Sequence, residues 1–494
     1  MSKNIGSEPL GRFYTGKKPK RRREWRGLKD TWYDYVRWLG YWKTLITFII
    51  KPNNMKGFFR YRWMINYLAL PDFMDRHTEG MRGTQLRMAH QALGLIVTDI
   101  CGMLGQIFKA DPAIGNDKKL NSKIVLFDEN MMSTLMGGFP NLTWLSVEVP
   151  AVYTSSMMSQ NGVSYYVDVT HQYGDDFPLI GCCAVQCNTT CDGSLMGNGI
   201  EARSFKIPTF QLAVPIRHRQ ESVQEYAAEE VVNAIHFIEK QTGEKFDWDA
   251  FFKSMKRFNA ETEEFLEWME ISKTDYPQVM GVTLALYRYG VYQAAGGRNQ
   301  AFLDMDKKLT KMALDAYKNK EMAAKEYRHR AMTWGVQAAY YTALPIWLLN
   351  CWGVVTIADM LSMVSTEMVN TEDKHQAMLD LAYLYENMIM RNRSNGGYET
   401  GVEALWRFCE MFNIDIVIMY VHMGCKSMSG YHGLFEEEAR KHGIHLIWVT
   451  HNLMCPEDGT RRDMRTEINR YMRTVFREEP LDPSLEDFDD SKSW

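Results

Sequence analysis

Three cysteines that lie far apart in the chain each follow a short apolar run, and thiolates are soft ligands for metals. Cys101 ends the run VTDIC, Cys191 lies in FPLIGCCAVQCNTTCDG, and Cys425 follows IDIVIMYVHMG. Each run predicts a buried strand that leads into a loop, which is where α/β folds place their chemistry. We therefore expect the three loops to converge and to supply three thiolates to one cluster.

The spacing of the cysteines argues against zinc. Paired C-x-x-C motifs are absent, and the nearest pattern is C-x-x-x-C, which Cys187 forms with Cys183 and with Cys191. Widely separated single cysteines suit one iron–sulfur cluster with an open fourth iron site. The alternatives are a zinc protein and an α/β protein with unliganded thiols. Because thiols crowd one short segment, Cys182, Cys183 or Cys187 could also replace Cys191 as a ligand.

The local surroundings of the three cysteines favour ligand roles. Cys191 and Cys425 each precede a predicted helix, and a helix N-terminus favours the thiolate form. Cys101 precedes Gly102, where the backbone can approach a bulky ligand closely. Two other cysteines are expected to be small core residues, namely Cys351 and Cys409.

Histidines supply the candidate catalytic residues. His422 and His432, together with His451, lie near Cys425 in the sequence. Because imidazole titrates near neutral pH, these side chains are candidate proton donors. The chain has no G-x-x-x-x-G-K-[ST] motif and no G-x-S-x-G motif, so we do not expect it to hydrolyse ATP itself or to use a nucleophile elbow.

Strand and helix patterns alternate in two blocks bridged by long helices. This order predicts an α/β fold with two doubly wound parallel-sheet lobes and a helical N-terminal extension. We predict a basic, aromatic-rich extension at 1–75, a first lobe at 76–270 with an insert at 112–178, a second lobe at 271–477 and an acidic tail at 478–494. The predicted strands outside the insert and the Cys101 run are 177–185, 207–214, 352–359, 414–421 and 444–450, and a helical tract is expected at about 300–345.

The bulk composition narrows the class of protein. The chain has 494 residues and a net charge of −4, which argues against general nucleic-acid binding. Segment 17–26 is strongly basic, and we expect a solvated arm or a docking segment there. No signal peptide is visible, and the aromatic segment 35–50 is too short and too charged for a membrane span. We expect this segment to form an aromatic helix that packs on protein, for example at a subunit interface. Nine cysteines without a secretion signal indicate reduced thiols in a cytoplasmic protein.

The order of several motifs resembles a known superfamily. The motifs are DIC at Cys101, TTCDG at Cys191, KIPTFQLAVP after the next helix, GEKFDWDAF from Gly243 and GCKSMSGY at Cys425. Together they cover roughly residues 75–110 and 175–475, about two thirds of the chain. In this order they resemble the catalytic subunits of 2-hydroxyacyl-CoA dehydratases and of class I, ATP-dependent benzoyl-CoA reductases.

The resemblance implies a [4Fe-4S] cluster whose ligands map onto Cys101, Cys191 and Cys425. It also implies a second, homologous subunit with its own cluster, a separate ATP-dependent iron–sulfur activator that injects one electron, and an acyl-CoA thioester as substrate. The dehydratases use the electron to form a ketyl radical that expels the 2-hydroxyl group. The reductases reduce an aromatic ring to a cyclic diene.

Several features depart from this pattern and bear on the substrate. The extension before residue 75 and the insert are unusual, and residues 194–196 are Ser-Leu-Met where the family often places lysines. The leading prediction is reductive dearomatisation of benzoyl-CoA-type substrates by an anaerobic enzyme. The alternatives are a 2-hydroxyacyl-CoA dehydratase subunit and a non-catalytic electron-relay subunit.

Overall fold

A computed structural model gives the fold of the chain, and it describes thirteen stretches of sequence. These stretches are 28–60, 77–127, 130–146, 180–187, 207–215, 221–278, 299–323, 326–338, 341–360, 367–387, 398–423, 425–451 and 459–486. Cys191 and the acidic tail beyond residue 486 lie outside them.

The first described elements are three helices that pack together. They are α1 (Leu28–Ile49), α2 (Pro52–Arg60) and α3 (Gly83–Ala110). The predicted helical extension is therefore confirmed for residues 28–60. Tyr41, Leu45 and Phe48 of α1 share a core cluster with α3, and Gly57 of α2 lies so close to Phe108 that a β-carbon there would overlap the ring.

Helix α3 corrects the prediction of a strand and loop at Cys101. The helix is 28 residues long, and Cys101 lies well inside it. The β-branched residues of VTDIC are typical of a strand. However, the buried residues recur at helical spacing, and that wider pattern decides the structure: Leu93, Val97, Cys101, Leu104 and Phe108. By length and composition α3 could also cross a membrane, but here it packs in two core clusters.

The first lobe is built on a four-stranded parallel sheet, sheet A, in the order β2-β1-β3-β4. After the short helix α4 (Lys118–Asn121), its strands are β1 (Ile124–Phe127), β2 (Thr143–Ser146), β3 (Cys183–Cys187) and β4 (Thr209–Leu212). A 3₁₀ helix, Asn130–Gly138, connects β1 to β2. Within the predicted insert at 112–178, the β-prone run KIVLF forms β1 and residues 143–146 form β2.

Two long helices follow sheet A and lead towards the second lobe. They are α5 (Glu221–Thr242) and α6 (Trp248–Ser272). Asp247 caps α6, because its carboxylate accepts hydrogen bonds from the backbone N–H groups of Asp249 and Ala250. The first half of α6 packs on sheet A and its second half packs on the other sheet.

The second lobe contains sheet B, also parallel, in the order β6-β5-β7-β8. Its strands are β5 (His329–Trp334), β6 (Val354–Asp359), β7 (Ile416–His422) and β8 (His445–His451). Its helices are α7 (Gln300–Lys318), α8 (Leu344–Trp352), α9 (Lys374–Glu386), α10 (Tyr398–Met411), α11 (Lys426–Gly430), α12 (His432–His442) and α13 (Arg461–Tyr471). A π-helical turn, Met472–Phe476, and a 3₁₀ turn, Pro483–Leu485, end the described chain.

Core clusters cover both faces of each sheet, which confirms the predicted α/β fold with two doubly wound lobes. Strands of sheet A pack on α5, α6 and α9 on one face and on α1 and α3 on the other. Strands of sheet B pack on α8 and α13 on one face, and on α3, α6, α7, α10 and α12 on the other. Helix α9 follows β6 in the chain but packs in the first lobe, so the lobes interlock.

Candidate functional site

The two sheets have the same strand order, and this places two cysteine-bearing loops at equivalent positions. In each sheet the chain reverses its direction of winding between two neighbouring strands, β1 and β3 in sheet A and β5 and β7 in sheet B. Ligands of open α/β sheets bind outside the carboxyl ends of the strands at such a switch point. Cys191 follows the end of β3 by four residues, and Cys425 follows the end of β7 by three. Cys425 therefore lies in the connection that leaves the switch point of sheet B, and Cys191, which is outside the described residues, follows β3 at the equivalent place in the sequence.

The loop after β7 is anchored to the strand that precedes it. The backbone N–H of Cys425 donates a hydrogen bond of 2.8 Å to the carbonyl oxygen of His422. The N–H of Met423 donates one of 3.0 Å to the carbonyl oxygen of His451. Cys425 is half-buried against the core cluster of the second lobe and directly precedes α11. These bonds fix the backbone of the loop at the carboxyl edge of sheet B.

The structure brings together two of the three histidines near Cys425. His422 and His451 are paired in the register of β7 and β8, and their ring centroids are 6.0 Å apart. His432 lies elsewhere, because it begins α12 and stacks on Trp448 with a centroid distance of 3.9 Å. Trp448 is paired with Met419, so it points to the opposite face of the sheet. The two histidines predicted to be catalytic are therefore not neighbours.

Burial controls the charge of His422. Desolvation lowers the pKa of its imidazole to about 4, and the nearby His451 adds to this effect. The ring is therefore neutral at physiological pH, when it can accept a hydrogen bond at one nitrogen and donate one at the other.

A buried tyrosine completes the polar group on this face of sheet B. Tyr420 lies two residues before His422 in β7, and its ring centroid is 5.7 Å from that of His451. Its hydroxyl is buried and has no hydrogen-bond partner among the described residues. Desolvation raises the pKa of Tyr420, and the nearby Tyr341 and Asp359 raise it further. Tyr420 is thus a neutral phenol whose hydroxyl leaves hydrogen-bonding capacity unused among the described residues.

Cys101 lies within α3 and not in a loop. It is 6% exposed, and it packs in one cluster with Ile124 of β1 and Ala184 of β3. Desolvation raises the pKa of its thiol to about 11. A thiol in these surroundings ionises only when a cation compensates the charge, which a metal ion can do. Its environment therefore suits a metal ligand or an unreactive core thiol, but not a free nucleophile.

Three other described cysteines of the first lobe lie in or next to β3, and of these only Cys187 lies at its carboxyl end. Cys183 and Cys187 are buried side chains of β3 in the core shared with α5 and α6, and burial raises the pKa of Cys183. Cys182 precedes β3, where its thiol donates a 3.2 Å hydrogen bond to the carbonyl oxygen of Ile124. Cys182 and Cys183 thus lie at the amino end of the strand, away from the edge where the switch-point loops begin.

The sequence of residues 137–471 matches a family profile, that of HGD-D, the 2-hydroxyglutaryl-CoA dehydratase D-component. The match spans more than half of the chain. The chain belongs to this family. A comparison with curated proteins gave no match.

The range of the D-component match separates the candidate residues into two groups. It includes Cys191, His422, His432 and Cys425, which all lie between 137 and 471. It leaves out Cys101, strand β1 and the helices α1 to α3. The connections that follow β3 and β7 therefore belong to the family region, whereas the assignment of Cys101 rests on its sequence motif.

An iron–sulfur cluster needs cysteine thiolates as ligands, so the fit depends on which thiols the described residues supply. Among the described stretches, no three His, Cys, Asp or Glu side chains form a group that could hold a metal ion. Cys101 and Cys425 have the thiol donor that such a cluster requires, and Cys191 lies outside the described residues. The two described thiols thus fit the donor type.

Two further candidates were not singled out in the sequence. Gln186 of β3 is buried, and its side-chain oxygen has no hydrogen-bond partner within the described stretches. It lies two residues beyond Ala184 and so faces the same side of sheet A as Cys101. Tyr420 is the second candidate. In both cases the available signal was a polar group inside an apolar strand, CAVQC and IVIMYVH.

Proposed function

We propose that this chain is a subunit of a 2-hydroxyacyl-CoA dehydratase, which removes water from a 2-hydroxyacyl-CoA thioester to give a 2-enoyl-CoA. The observation that carries the proposal is the D-component match, which spans both switch-point loops. The word component in the family description supports a second subunit as partner. The leading prediction from the sequence, reduction of the aromatic ring of a benzoyl-CoA-type substrate, has less support because the family match favours the dehydratase alternative.

We assign Cys101, Cys191 and Cys425 as the residues that would hold a [4Fe-4S] cluster. Such a cluster supplies a single electron at low potential and an open iron for a substrate oxygen. The electron would come from a separate ATP-dependent iron–sulfur activator, and none is consumed overall because dehydration is redox-neutral. The cytoplasm is the proposed location, since all the described cysteines are free thiols and reduced thiols persist there.

The carboxyl edge of sheet B supplies the hydrogen-bonding groups of the proposed site. Loss of water requires a proton for the departing hydroxyl group and a base for the proton at carbon 3. His422 and His451 offer imidazole nitrogens at the edge where Cys425 begins its helix. His432 was an equal candidate in the sequence, but its ring stacks on Trp448. We assign the proton-handling role to His422, because its backbone carbonyl oxygen accepts the hydrogen bond from the N–H of Cys425 and its ring lies beside that of His451.

The first test is turnover with two substrate classes. The full chain, purified without oxygen with its partner subunit and activator, is offered a 2-hydroxyacyl-CoA or benzoyl-CoA, and products are separated by chromatography. We expect enoyl-CoA from the former and no cyclic diene from the latter. Diene formation would support the reductase reading instead. Absence of both products from a complex that contains iron would support an electron-relay subunit.

A pair of histidine variants tests the assignment within the site. His422→Asn should lower kcat by about 10²-fold or more, which is typical of a lost acid–base group. His432→Asn is the matched control, and it should leave kcat within about threefold because its ring is exposed on α12. Equal losses in both variants, with iron content unchanged, would overturn the assignment of His422.

A further inference from the structure

Segment 28–60 exposes an unusual amount of apolar surface. Eighteen large hydrophobic side chains are exposed in the described residues, and eight of them lie in this segment, including the five most exposed. We call these eight side chains the α1–α2 surface: Trp32, Tyr35, Val36, Leu39, Ile46, Ile50, Met55 and Phe59. Single exposed apolar residues are common, but a contiguous set marks an interaction site.

The exposed apolar side chains of α1, together with Ile50 directly after it, lie in a stripe along one face of the helix. At about 100° per residue, the exposed side chains from Trp32 to Ile50 fall within a sector of about 100°, which is the width of an amphipathic face. With a rise of about 1.5 Å per residue, the stripe is about 27 Å long. The opposite side of α1 is buried against α3 through Tyr41, Leu45 and Phe48. The stripe is therefore a second apolar face and not the core face of the helix.

Helix α2 repeats this arrangement. Its Gly57 faces the ring of Phe108 on α3, and Met55 and Phe59 lie on the other side of the helix. Phe59 is 73% exposed. The side-chain amide of Asn54 donates a 2.9 Å hydrogen bond to the carbonyl oxygen of Phe48, which ties α2 to the end of α1. Both helices thus turn their exposed apolar side chains away from α3.

The charge of this region is opposite in sign to that of the rest of the protein. Between residues 17 and 60 there are thirteen Lys and Arg and only three Asp and Glu, so the remaining chain has a net charge of −14. Six of these basic residues are exposed on the described segment: Lys29, Arg37, Lys43, Lys51, Lys56 and Arg60. Lys43 lies within the apolar stripe itself. Basic residues interleaved with Trp, Tyr and aliphatic side chains are typical of a helix that lies in the headgroup region of an anionic membrane.

We propose that the α1–α2 surface binds the surface of an anionic lipid bilayer. The stripe enters the headgroup region, and the basic side chains bind lipid phosphates and carboxylates. A second copy of this chain fits less well, because pairing two such surfaces would bring two strongly basic segments together. RNA fits less well because the stripe presents Val, Leu and Ile as well as aromatic rings. This inference is independent of the proposed dehydratase function.

Vesicle flotation with the full chain tests the proposal. Wild-type protein should float with vesicles of phosphatidylcholine and phosphatidylserine at about 7:3, but not with phosphatidylcholine alone. Raising NaCl from 0.1 to 0.5 M should release it, because salt screens the attraction. The triple variant Trp32→Ser, Ile46→Ser, Ile50→Ser should bind at least about tenfold more weakly. The matched control Tyr226→Ser, Tyr317→Ser, Val475→Ser changes exposed residues elsewhere and should bind like wild type.

Three other results would overturn the proposal. Equal binding to both lipid mixtures, or none, would exclude an anionic bilayer as the partner. A wild-type dimer that becomes a monomer in the triple variant, without lipid binding, would show that a second copy covers the stripe. A melting temperature lowered by the triple variant but not by the control would show that other residues of the chain itself cover it.

Discussion

The two lobes have the same strand order but differ at the edge where their switch-point loops begin. The strands of sheet A are four or five residues long, and the described ends are mostly apolar or sulfur-containing. The strands of sheet B are six or seven residues long, and three of them end in Asp359, His422 and His451. Equivalent topology therefore supports different chemistry. The first lobe offers an apolar wall with thiols, and the second offers groups that hydrogen-bond.

The largest effect is expected from the proposed ligands. Cys101→Ser and Cys425→Ser should each remove most of the iron from anaerobically purified protein, since each would take away one of three thiolates. The check is iron per chain together with the visible absorption of the protein. Cys351→Ser is the control, because Cys351 is a buried core residue of α8 and its replacement should leave the iron unchanged.

If Cys425→Ser lost its iron and Cys101→Ser kept it, the result would separate the role of the switch-point loops from that of α3. The cluster would then depend on the switch-point loops alone. The thiol of Cys101 would be a core group with a pKa raised to about 11 by its apolar surroundings.

A glycine at the switch point of sheet B should be sensitive to any added side chain. Gly335 follows β5 with φ of +102°, and an added β-carbon would overlap the carbonyl oxygen of Tyr420. The added β-carbon is bonded directly to the backbone and the carbonyl oxygen is itself a backbone atom, so neither atom can move away easily. Gly335→Ala should cost about 2–4 kcal/mol of unfolding free energy, from strain and overpacking together. Urea unfolding of the full chain measures it.

The matched variant for this position is Gly443→Ala. Gly443 also has a positive φ, +68°, but nothing lies within 4 Å of its added β-carbon. It should cost only about 1 kcal/mol, the strain term alone. Equal costs at the two glycines would show that the close approach of β5 and β7 is not tight.

Each lobe has a buried tyrosine in its core, and the hydroxyl groups of the two tyrosines differ in their hydrogen bonding. In the first lobe, the hydroxyl of Tyr385 is 2.6 Å from the hydroxyl of Thr134. Tyr385→Phe should therefore cost about 1–2 kcal/mol. In the second lobe, the hydroxyl of Tyr420 has no partner among the described residues. Tyr420→Phe should leave the free energy of unfolding unchanged or raise it by about 1 kcal/mol, because an unsatisfied buried group is removed.

The tyrosine pair also separates stability from function. If Tyr420 serves the substrate, Tyr420→Phe should lower kcat while the protein stays as stable as wild type. A clear loss of stability in Tyr420→Phe would instead mean that the hydroxyl is bonded in the folded protein, and it would remove the argument for a reserved hydrogen-bonding group.

The smallest expected effect is a pH-dependent change in the free energy of unfolding, and it arises at the amino ends of the strands. At the start of β5, Nδ1 of His329 lies 2.5 Å from Asp415 and Nε2 lies 2.9 Å from Glu478. The hydrogen bond to Asp415 is the main cause of a raised pKa of His329, with Glu478 adding to it. A raised pKa stabilises the fold below the unfolded value of about 6.5, and this contribution is lost as pH rises through the folded-state pKa.

The difference in unfolding free energy between wild type and His329→Gln should therefore be larger at pH 6 than at pH 9, by about 1 kcal/mol. In the first lobe, Lys123 and Glu244 are 3.0 Å apart just before β1. The hydrogen bond from Lys123 lowers the pKa of Glu244 below its ordinary value, so this carboxylate is charged at both pH 6 and pH 9. Lys123→Gln should therefore show the same difference at the two pH values. A pH-independent effect at His329 would contradict the assigned hydrogen bonds.

Local sequence patterns correctly predicted β7 and β8, the two strands at one side of sheet B. IDIVIMYV and IHLIWVT gave β7 and β8 nearly to the residue, because strands buried on both faces are continuous apolar runs. Strand β5 was missed, since HRAMTW begins with two polar residues and lay in a tract predicted as helix. In the structure Arg330 satisfies its guanidinium with the backbone carbonyls of Phe412, Thr274 and Ser272. Such distant partners leave no local signal.

The same reason limited the prediction of the site. The sequence placed Cys425 and His422 correctly at the end of one strand, because strand and loop are adjacent in the chain. It could not show that His451 joins His422 while His432 lies on the opposite face, because that depends on the register of β7 and β8. Nor could it show that α9 returns to the first lobe, because packing between distant segments is set by the whole fold.

Iron and acid-labile sulfide analysis of the wild-type chain, purified without oxygen, tests the central claim most directly. The claim is that a helix and the two switch-point loops supply three thiolates to one cluster. A brown protein with about four iron and four sulfide per chain is the predicted result. A colourless protein, with zinc or with no metal, would contradict it.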